Sequence, residues 1–492
     1  MTSHGSAQAV PIHRAFVGGE WIETNDLREI RSPYSGDVVA LSCEASQALV
    51  TRAVEEASLA FETFSRTSRH MRSRLLLAMA SGIQDKRSEL TSRIVEEAGK
   101  PVRLADAEVT RAVTTFTIAA EEAKRFGGEI VPIDIEPTGR AYAPATVYYV
   151  PRGPVLAITP FNFPLNLVAH KVAPALAVGA PVLLKPAPQT PGPAALLAQI
   201  FSDACRQVSD GVEQVPAAAF QLVSATNDLI GEAVRDPRLH VLSFTGSAAV
   251  GVQLQAAALG KRVVLELGGD AAVLVHEDAN LQRAAARCAF GAYAFSGQVC
   301  ISVQRMFVHE SVFAKFQEIY LSELQKIKWG DPHDPSTLAG PMIDARAAER
   351  VESWVNQAKK GGAHVSTHGA AQGNLLPPAL VEDAPPNCLL CTEEAFGPVA
   401  VLGRYTNTPS AIELVNRSKY GLQAGIFTNN LTFVRAAVEG LRVGGLLINE
   451  VPTYRADNAP YGGTKASGLG REGVRYAMQE YSEARTVIEW IG

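Results

Sequence analysis

Apolar residues in the first third of the chain repeat at the spacing of amphipathic helices. After Ser46, one helical face carries four of them, Val50, Val54, Ala57 and Phe61. A second helix is predicted to begin at about Met71 and to end before Gly99, because a glycine followed closely by a proline ends helices. A third helix extends to about Phe126. These helices carry no catalytic constellation of their own, so the chemistry is expected further along the chain.

Beyond residue 153 the pattern changes to short apolar strands that alternate with helices. The strands are predicted at residues 155–158, 182–184, 241–244 and 263–267, and the helices run through about residue 178, from about 194 and from about 248. This alternation is typical of a parallel sheet with helices on both faces. A second α/β unit is predicted over residues 272–447, with a strand at 272–275 and a helix around 281–293.

Ligands of parallel sheets bind beyond the carboxyl ends of the strands. Five residues fall at or just after such ends, namely Asn162, Lys185, Gly246, Ser247 and Glu266. Outside the two units, residues 16–22 predict a strand or hairpin, and the aromatic and β-branched run at 142–150 predicts another strand. Residues 1–15 are expected to be a disordered or loosely attached lead.

Composition narrows the class of protein. A chain of 492 residues is too long for one core, so two or three structural units are expected. A hydrophobic fraction of 47% and a charged fraction of 19% are typical of a soluble globular protein, and a net charge of -5 argues against a nucleic-acid binder. No apolar run is long enough to span a bilayer, and residues 1–10 lack the pattern of a signal peptide. A cytoplasmic protein is therefore expected.

Six cysteines are few for this length and fit a reducing compartment. Two of them form the motif Cys388-Leu389-Leu390-Cys391. The motif follows two prolines in a predicted loop and does not open a helix after a strand. No second pair or histidine cluster accompanies it, so neither zinc binding nor thioredoxin-like chemistry is expected. No metal site is predicted in the chain.

Cys300, at the end of Phe295-Ser296-Gly297-Gln298-Val299-Cys300, is predicted to be a nucleophile. Gly297 would let a ligand approach the backbone closely. Glu266 supplies a carboxylate before two glycines, and Asn162 supplies an amide. These are the parts that acyl chemistry through a covalent sulfur intermediate requires. Each has an ordinary explanation alone, as a buried cysteine, a solvated charge and a turn residue. Their joint occurrence therefore carries the prediction.

With these motifs the chain resembles the aldehyde dehydrogenase superfamily over nearly its whole length. Three more motifs carry the resemblance, Phe244-Thr245-Gly246-Ser247, Glu394-Ala395-Phe396-Gly397-Pro398-Val399 and Pro460-Tyr461-Gly462-Gly463-Thr464-Lys465-Ala466-Ser467-Gly468. It implies an α/β fold with two Rossmann-like domains and a β-strand oligomerisation arm, and hence a homodimer or homotetramer.

The resemblance also implies where these units begin and end. The NAD(P)-binding domain would cover residues 1–136 and 153–266, and the catalytic domain 267–447. The arm would cover 137–152 and 478–492, where residues 485–490 look like the partner of the strand at 142–150. Residues 448–477 would form a substrate-channel loop and the return to the cofactor domain.

NAD or NADP is the cofactor that the resemblance implies. Ser247 and the backbone around Gly246 would contact the pyrophosphate at a helix N-terminus, and Lys185 would contact the adenosine ribose. Glu394 and Phe396 would hold the nicotinamide ribose and ring. The other implied cofactor positions are Ile158, Thr159, Pro160, Phe161 and Leu267.

Two features qualify the cofactor assignment. The only literal G-x-G-x-x-G, at residues 468–473, does not follow a strand inside a βαβ unit and is rejected as a dinucleotide fingerprint. Pro188 stands where NAD-preferring relatives often carry a glutamate. The choice between NAD and NADP therefore stays open.

The implied reaction oxidises an aldehyde to a carboxylic acid. Cys300 attacks as thiolate, and the Asn162 amide and the Cys300 backbone N–H stabilise the oxygen of the thiohemiacetal. Hydride transfer to the cofactor leaves a thioester, which water activated by Glu266 hydrolyses. Glu472 is interpreted either as a proton relay or as a solvated loop charge. Three further residues match positions of a structural charge cluster in the family, Arg262, Arg471 and Glu483.

Arg111, His170 and Arg455 are predicted to face the substrate channel. Arginine forks suit carboxylate, phosphate or sulfonate, and the pattern resembles the branch that handles lactaldehyde, glyceraldehyde-type, phosphonoacetaldehyde and semialdehyde substrates. A small hydroxylated or anionic aldehyde is therefore expected. Each of the three residues could equally form an ordinary ion pair or core contact, and Val299 stands where some anion-handling relatives carry a basic residue.

Three other functions compete with this one. A CoA-acylating dehydrogenase of the same fold generally lacks the carboxylate base, so Glu266 argues against it. A thioester hydrolase or esterase without a redox cofactor would not need the phosphate-binding turn or the Glu394 and Phe396 motif. A catalytically dead relative would not be expected to retain Cys300, Glu266 and Asn162 together.

Overall fold

A computed structural model describes residues 10–209 and 211–492. Most of the predicted N-terminal lead, and of the segment considered as a signal peptide, falls on residues 1–9, which lie outside the described residues. In chain order the helices are α1 (Gln47–Phe64), α2 (Arg69–Asp85), α3 (Arg87–Ala98), α4 (Val102–Arg125), α5 (Asn166–Val178), α6 (Gly192–Val208), α7 (Asn227–Arg235), α8 (Ala248–Ala257), α9 (Leu281–Tyr293), α10 (Phe313–Gln325), α11 (Ala345–Lys360), α12 (Leu389–Thr392), α13 (Thr408–Asn416), α14 (Leu431–Gly440) and α15 (Val474–Glu480).

The strands, in chain order, are β1 (Ile12–His13), β2 (Ala15–Val17), β3 (Glu20–Ile22), β4 (Leu27–Arg31), β5 (Val38–Cys43), β6 (Glu129–Val131), β7 (Ala145–Pro151), β8 (Val155–Ile158), β9 (Val182–Lys185), β10 (Phe220–Leu222), β11 (Val241–Thr245), β12 (Arg262–Glu266), β13 (Ala272–Val275), β14 (Arg305–His309), β15 (His364–Thr367), β16 (Ala379–Glu382), β17 (Val399–Tyr405), β18 (Tyr420–Gly421), β19 (Gln423–Phe427), β20 (Gly445–Ile448), β21 (Thr464–Lys465), β22 (Gly468–Leu469) and β23 (Ser482–Val487).

The first large sheet has eight strands in the order β22-β12-β11-β8-β9-β10-β2-β3. The central five, β12 to β10, are parallel, and the outer ones are antiparallel. One apolar core packs α2, α4, α5 and α6 against one face, and a second packs α1, α7 and α8 against the other. The predicted parallel sheet with helices on both faces is therefore confirmed.

The second large sheet has seven strands in the order β15-β16-β17-β14-β13-β19-β20, and only the β15–β16 pair is antiparallel. Five residues join it to the first sheet, between the end of β12 and the start of β13. The carboxyl end of β12 is therefore held close to the second α/β unit. Two α/β units with parallel sheets confirm the predicted fold class.

A separate three-stranded antiparallel sheet, β23-β7-β6, joins the two segments that were predicted to form the arm. Arg485 pairs with Tyr148, as the assignment of residues 485–490 requires. The strand begins at Ala145 rather than at Tyr142, because Pro144 has no N–H to donate to a ladder. Tyr142 still forms an isolated bridge with Trp490.

Three local predictions were wrong. The helix predicted from Met71 to Gly99 is two helices, since Lys86 leaves the helical region between α2 and α3 (φ -94, ψ 15). The pair β10 and α7 was missed, because a three-residue strand gives almost no periodic signal. The Cys388 motif does open a helix after a strand, since Cys388 is the N-cap residue of the one-turn α12, which follows β16. Its two sulfurs are 3.6 Å apart, and both cysteines are free.

Two kinds of feature are absent from the residues that the structure describes. No helix there combines the length and apolar character needed to cross a bilayer. No group of three or more His, Cys, Asp or Glu side chains there is close enough to hold a metal ion.

Candidate active site

The segment before Cys300 is held in a strained backbone conformation. Phe295 and Ser296 have φ values of 53° and 54°, in the left-handed region that non-glycine residues rarely adopt. Gly297 is left-handed as well, and a Cβ there would lie 2.2 Å from the carbonyl oxygen of Gly397. The glycine is thus required because another backbone segment approaches it closely.

Side-chain hydrogen bonds hold this strained segment to the loop at residues 340–343. Ser296 donates its hydroxyl to the carbonyl of Gly340 (2.5 Å). The amide of Gln298 donates to the carbonyl of Pro341 (3.1 Å) and accepts the N–H of Ile343 (2.9 Å). The position of the thiol is therefore set by two segments of the chain.

The thiol of Cys300 opens onto a cavity of about 360 Å³. Ten predicted site residues line it: Pro160, Phe161, Asn162, Gly246, Ser247, Glu266, Leu267, Cys300, Glu394 and Phe396. The structure thus brings together all three predicted catalytic residues and most of the predicted cofactor residues. Four lining residues were not predicted, Leu167, Thr245, Gly268 and Arg350.

Six predicted residues do not line this cavity: Arg111, Ile158, Thr159, His170, Lys185 and Arg455. Ile158 and Lys185 are the last residues of β8 and β9, at the same edge of the sheet. Lys185 is only 6% exposed, so it is not a surface lysine. Burial lowers its pKa, an effect that Glu44 opposes and Arg28 adds to.

Glu266 ends β12 with its side chain buried at the cavity wall. Neither carboxyl oxygen has a hydrogen-bond partner among the described residues. Burial, and next the negative charge of Glu472, raises the pKa of Glu266 well above its ordinary value. A carboxyl group with free oxygens and a raised pKa suits a general base that binds water.

Asn162 is buried, and its Nδ2 donates to the carbonyl of Gln298 (2.8 Å), two residues before the thiol. Its loop is anchored by Glu108, which accepts the N–H groups of Leu165 and Asn166 at 2.9 and 3.0 Å. Glu108 is itself paired with the fully buried Lys100. One amide hydrogen of Asn162 is therefore committed to orienting the side chain, and the second is left for a ligand.

The opposite part of the cavity is built from a helix terminus and a carboxylate. Ser247 is the N-cap of α8, and its side chain accepts the N–H of Val250 (3.4 Å). Glu394 accepts the N–H of Gly269 (3.0 Å), and burial raises its pKa to about 7. The rings of Phe161 and Phe396 meet edge to face, with their centroids 6.0 Å apart.

Two of the three predicted substrate residues, Arg111 and His170, meet at Asp457, which was not predicted. Asp457 accepts hydrogen bonds from Arg111 (2.5 Å) and from Nε2 of His170 (2.9 Å). His170 is fully buried, and burial and then Arg455 lower its pKa to about 4, against the effect of Asp457. His170 is therefore neutral at pH 7 and donates its Nε2 hydrogen to Asp457.

Arg455 belongs to a second buried network, around Glu472. The carboxylate of Glu472 accepts Lys171 Nζ (2.9 Å) and an Nη of Arg455 (3.1 Å). Burial alone would raise the pKa of Glu472, but Lys171, Arg455 and His170 outweigh it and bring the pKa to about 2. Glu472 is fully buried, so the interpretation of it as a solvated loop charge is wrong.

Tyr461 lies within hydrogen-bonding distance of the thiol. Its hydroxyl oxygen is 3.3 Å from Cys300 Sγ, and the Arg455 guanidinium lies 3.8 Å from the centre of its ring. Burial raises the pKa of Cys300 to about 12, although the hydrogen bond from Tyr461 lowers it. No pattern in the sequence predicts this contact, because Tyr461 was recognised only as part of a motif.

The expected charge cluster has a different acidic member. Arg262 pairs with Glu480, whose carboxylate also accepts the N–H of Arg471 (3.1 Å). Glu483 pairs with Arg152 instead (2.6 Å). Glu483 lies on the arm strand β23, whereas Glu480 lies on α15 and faces the first sheet.

Comparisons with known proteins agree with this geometry. The model of the aldehyde dehydrogenase family matches residues 21–487. A 3-sulfolactaldehyde dehydrogenase of Priestia megaterium is 38% identical over 475 residues, which cover 96% of this chain and 97% of that protein.

Two solved structures are also similar. Aldehyde dehydrogenase 21 of Physcomitrella patens, in complex with the reaction product succinate, has a TM-score of 0.93, 35% identity and 98% coverage of both chains. The glyceraldehyde-3-phosphate dehydrogenase of Methanocaldococcus jannaschii, complexed with NADP, has a TM-score of 0.90 and 34% identity. That match covers 95% of this chain and 100% of the other.

Proposed function

The chain belongs to the aldehyde dehydrogenase family, and from that premise we propose that it oxidises an aldehyde to the carboxylic acid through a thioester on Cys300. Enzymes of this family depend on NAD or NADP. The observation that carries the proposal is that the thiol of Cys300, the carboxyl of Glu266 and the amide of Asn162 line one cavity.

The remaining walls of this cavity fit a dinucleotide. The N-terminus of α8, capped by Ser247 after Gly246, presents N–H groups that suit a pyrophosphate. Glu394 has one oxygen on Gly269, so the other is left for a ribose hydroxyl. A Cβ at Gly268 would lie 2.2 Å from Glu394, so this wall tolerates only backbone. When bound, the nicotinamide accepts the hydride from the substrate carbon.

The protein contributes the nucleophile and the groups around it. The Cys300 sulfur forms a bond to the aldehyde carbon, and the carbonyl electron pair moves to oxygen. The free hydrogen of the Asn162 amide and the Cys300 N–H stabilise that oxygen, each by about 3 kcal/mol. After oxidation of the carbon, Glu266 removes a proton from the water that attacks the thioester.

The raised pKa of Glu266 gives this last step a pH dependence. Burial and then the negative charge of Glu472 raise the pKa of the carboxyl well above its ordinary value. The base form therefore becomes more populated as the pH rises, so hydrolysis of the thioester should accelerate towards alkaline pH. Glu472 has a pKa of about 2 and both of its oxygens accept hydrogen bonds, so it shapes the charge around Glu266 and is not proposed as a proton relay.

Two variants separate the two chemical steps. Cys300→Ala should still bind reduced cofactor, measured by its fluorescence, but oxidise no aldehyde. Glu266→Gln should form one equivalent of reduced cofactor in a burst and then stall as an acyl-enzyme, which mass spectrometry of the intact protein detects. Normal turnover by Glu266→Gln would remove the base from the mechanism.

The competing functions give different products in the same assay. An acyl-CoA product, formed only when CoA is present, would indicate the acylating reaction. Hydrolysis of a thioester without any change in nicotinamide absorbance would indicate a cofactor-independent hydrolase. Formation of the free carboxylic acid together with one equivalent of reduced cofactor is the expected result.

The charges behind the thiol favour an anionic aldehyde. Three cations, Arg111, Lys171 and Arg455, face two ionised carboxylates, Asp457 and Glu472. Burial lowers the pKa of His170 to about 4, so His170 is neutral at pH 7, and burial raises the pKa of Glu266, which favours its neutral form. With Glu266 in that form, one positive charge of the network is uncompensated, and Nε of Arg455 is buried without a partner among the described residues.

The similar proteins point the same way, because sulfolactaldehyde, glyceraldehyde 3-phosphate and succinate all carry an acidic group. We therefore propose a small anionic aldehyde, hydroxylated or a semialdehyde, as the substrate class. The test compares kcat/KM for sulfonated, phosphorylated and carboxylated aldehydes with that for neutral alkyl aldehydes of similar length. Equal values would refute the charge argument but not the oxidation itself.

Arg111→Gln is the variant for this test, because glutamine can still donate to Asp457. It should lower kcat/KM by about tenfold or more for the anionic aldehydes only. Arg103→Gln, on the same helix but exposed, is the matched control and should change neither value. An equal loss for neutral and anionic aldehydes would assign Arg111 a structural role.

The arm supports the proposal of a homodimer or homotetramer. Its strands and their flanks expose large apolar side chains, among them Ile130, Tyr148, Ile488 and Trp490. Such a patch on a sheet with a free edge favours pairing with another copy. A cytoplasmic location stays a prediction, supported by six cysteines that are all free.

A further inference from the structure

We propose that Tyr461 is a catalytic residue, which donates its phenolic hydrogen to the thiolate of Cys300 and so stabilises the nucleophile before attack. This inference rests on the proposed function, since it takes Cys300 as the nucleophile. The hydroxyl oxygen lies 3.3 Å from Sγ, within hydrogen-bonding distance for sulfur. A thiolate has no hydrogen of its own, so in the reactive form only the phenol can be the donor.

Tyr461 is fixed in this orientation by its backbone and its ring. Its N–H donates to the carbonyl of Glu472 (2.9 Å), and its carbonyl accepts the N–H of Glu472 (2.7 Å). The ring is 6% exposed and packs with Ile301 and Leu422. The hydroxyl is thus delivered to the sulfur by a rigid element rather than by a mobile side chain, which is what preorganised stabilisation of charge requires.

Arg455 acts on the thiolate through Tyr461. Its guanidinium lies 3.8 Å from the ring centre, and Glu472 holds it there. A cation over an aromatic face draws electron density from the ring, which makes the phenol a stronger donor. Burial raises the pKa of Tyr461 well above its ordinary value, so the phenol keeps the hydrogen that it must donate. Arg455 is therefore a positioning residue in this account.

Most of the effects on Cys300 raise its pKa and so disfavour the thiolate. The hydrogen bond from the phenol of Tyr461 opposes this effect. Burial is the largest effect that raises the pKa of Cys300, and the carboxyl groups of Glu394 and Glu266 raise it further. Tyr461 and Arg455 lower it. The hydrogen bond from Tyr461 is the larger of these two favourable effects, so its removal should be visible in the reactivity of the sulfur.

The test measures alkylation of Cys300 by iodoacetamide, followed by mass spectrometry of its peptide so that the other cysteines do not interfere. Tyr461→Phe should be alkylated about tenfold more slowly than the wild type near neutral pH, because a hydrogen bond to a charged group is lost. The two rates should converge at strongly alkaline pH, where both proteins are thiolates. An unchanged pH profile, or the same slowing at every pH, would overturn the proposal.

Two further variants complete the test. Tyr34→Phe, which removes an exposed hydroxyl elsewhere, should leave the profile unchanged. Replacement of Tyr461 by 3,5-difluorotyrosine strengthens the donor and keeps the ring, so it should speed alkylation near neutral pH even if Tyr461→Phe fails to fold. No acceleration would overturn the proposal. Because alkylation needs no aldehyde and no cofactor, its outcome is independent of whether the protein oxidises aldehydes.

Discussion

Replacement of Glu394 by glutamine should stabilise the cofactor-free protein while weakening its hold on the cofactor. Glu394 lies at the cavity wall, where Gly269 donates to it at 3.0 Å. Burial is the main reason that its pKa rises from 4.5 to about 7, and Asp270 adds to it against Gly269 and Arg350. Above pH 7 the folded protein therefore bears the free-energy cost of burying an ionised carboxylate. A neutral glutamine removes this cost.

The size and sign of the effect follow from this pKa. Each factor of ten in an ionisation constant is worth about 1.4 kcal/mol, so a rise from 4.5 to about 7 corresponds to roughly 3 kcal/mol. A carboxyl group whose pKa is raised by folding contributes most stability below pH 4.5. That contribution is lost as the pH rises through 7. The advantage of Glu394→Gln should thus be absent in acid and greatest above pH 7, with 3 kcal/mol as an upper limit because the side chain reaches the cavity.

Thermal unfolding of the cofactor-free proteins at a series of pH values measures this difference. The entropy of unfolding for 492 residues is about 1 kcal/mol per degree, so the midpoint should rise by up to roughly 3 °C above pH 7. Affinity for the reduced cofactor, measured by fluorescence, should fall about tenfold if the carboxylate binds a ribose hydroxyl.

The adjacent Glu393 provides the control. It pairs with Lys419 at the surface, where an ion pair is worth at most about 1 kcal/mol. Glu393→Gln should therefore change neither the pH dependence of unfolding nor cofactor affinity. Parallel curves for Glu394→Gln and the wild type across the pH range would refute the argument that this carboxylate is desolvated in the fold.

Three other variants test the buried network, the cofactor choice and the arm. Lys171→Met removes a fully buried partner of Glu472 and should destabilise the protein by roughly 3–5 kcal/mol in chemical unfolding; a loss below about 1 kcal/mol would contradict this. Pro188→Glu should weaken NADP binding about tenfold relative to NAD, by charge repulsion, and an unchanged ratio of dissociation constants would refute it. Ile130→Asp with Trp490→Ser should lower the molar mass in light scattering, and an unchanged mass would exclude the arm as the contact.

Local patterns in the sequence were enough to predict the elements that carry the cavity. The helix after Ser46 begins where a serine caps it, and its side chain accepts the N–H of Leu49. The strand that ends at Glu266 is an apolar run followed by small residues. Such a run is sufficient to predict a buried strand of a parallel sheet. Family motifs then predicted the catalytic residues, of which Asn162 follows β8 and Glu266 ends β12, whereas Cys300 lies between α9 and β14.

The contacts between distant segments could not be predicted from local patterns. Asp457 joins Arg111, 346 residues away, to His170, 287 residues away, and no periodicity in the sequence links these positions. Cys300 and Tyr461 are 161 residues apart, and their contact depends on how the return loop crosses the second unit. Long-range polar contacts of this kind decide the charge state of a site. Sequence motifs therefore predicted the reacting groups but not their electrostatic environment.

The strained backbone before the nucleophile is a further product of long-range packing. Left-handed conformations at Phe295 and Ser296 cost about 1–3 kcal/mol each and persist only where their surroundings hold them. Here these conformations are held by the hydrogen bonds of Ser296 and Gln298 to residues 340–343. The carbonyl of Gln298 also accepts a hydrogen bond from the amide of Asn162. The same short segment thus fixes the sulfur of Cys300 and the amide of Asn162 relative to each other. In the mechanism proposed above this amide contributes about 3 kcal/mol of oxyanion stabilisation, so the strain would be comparable with the catalytic gain.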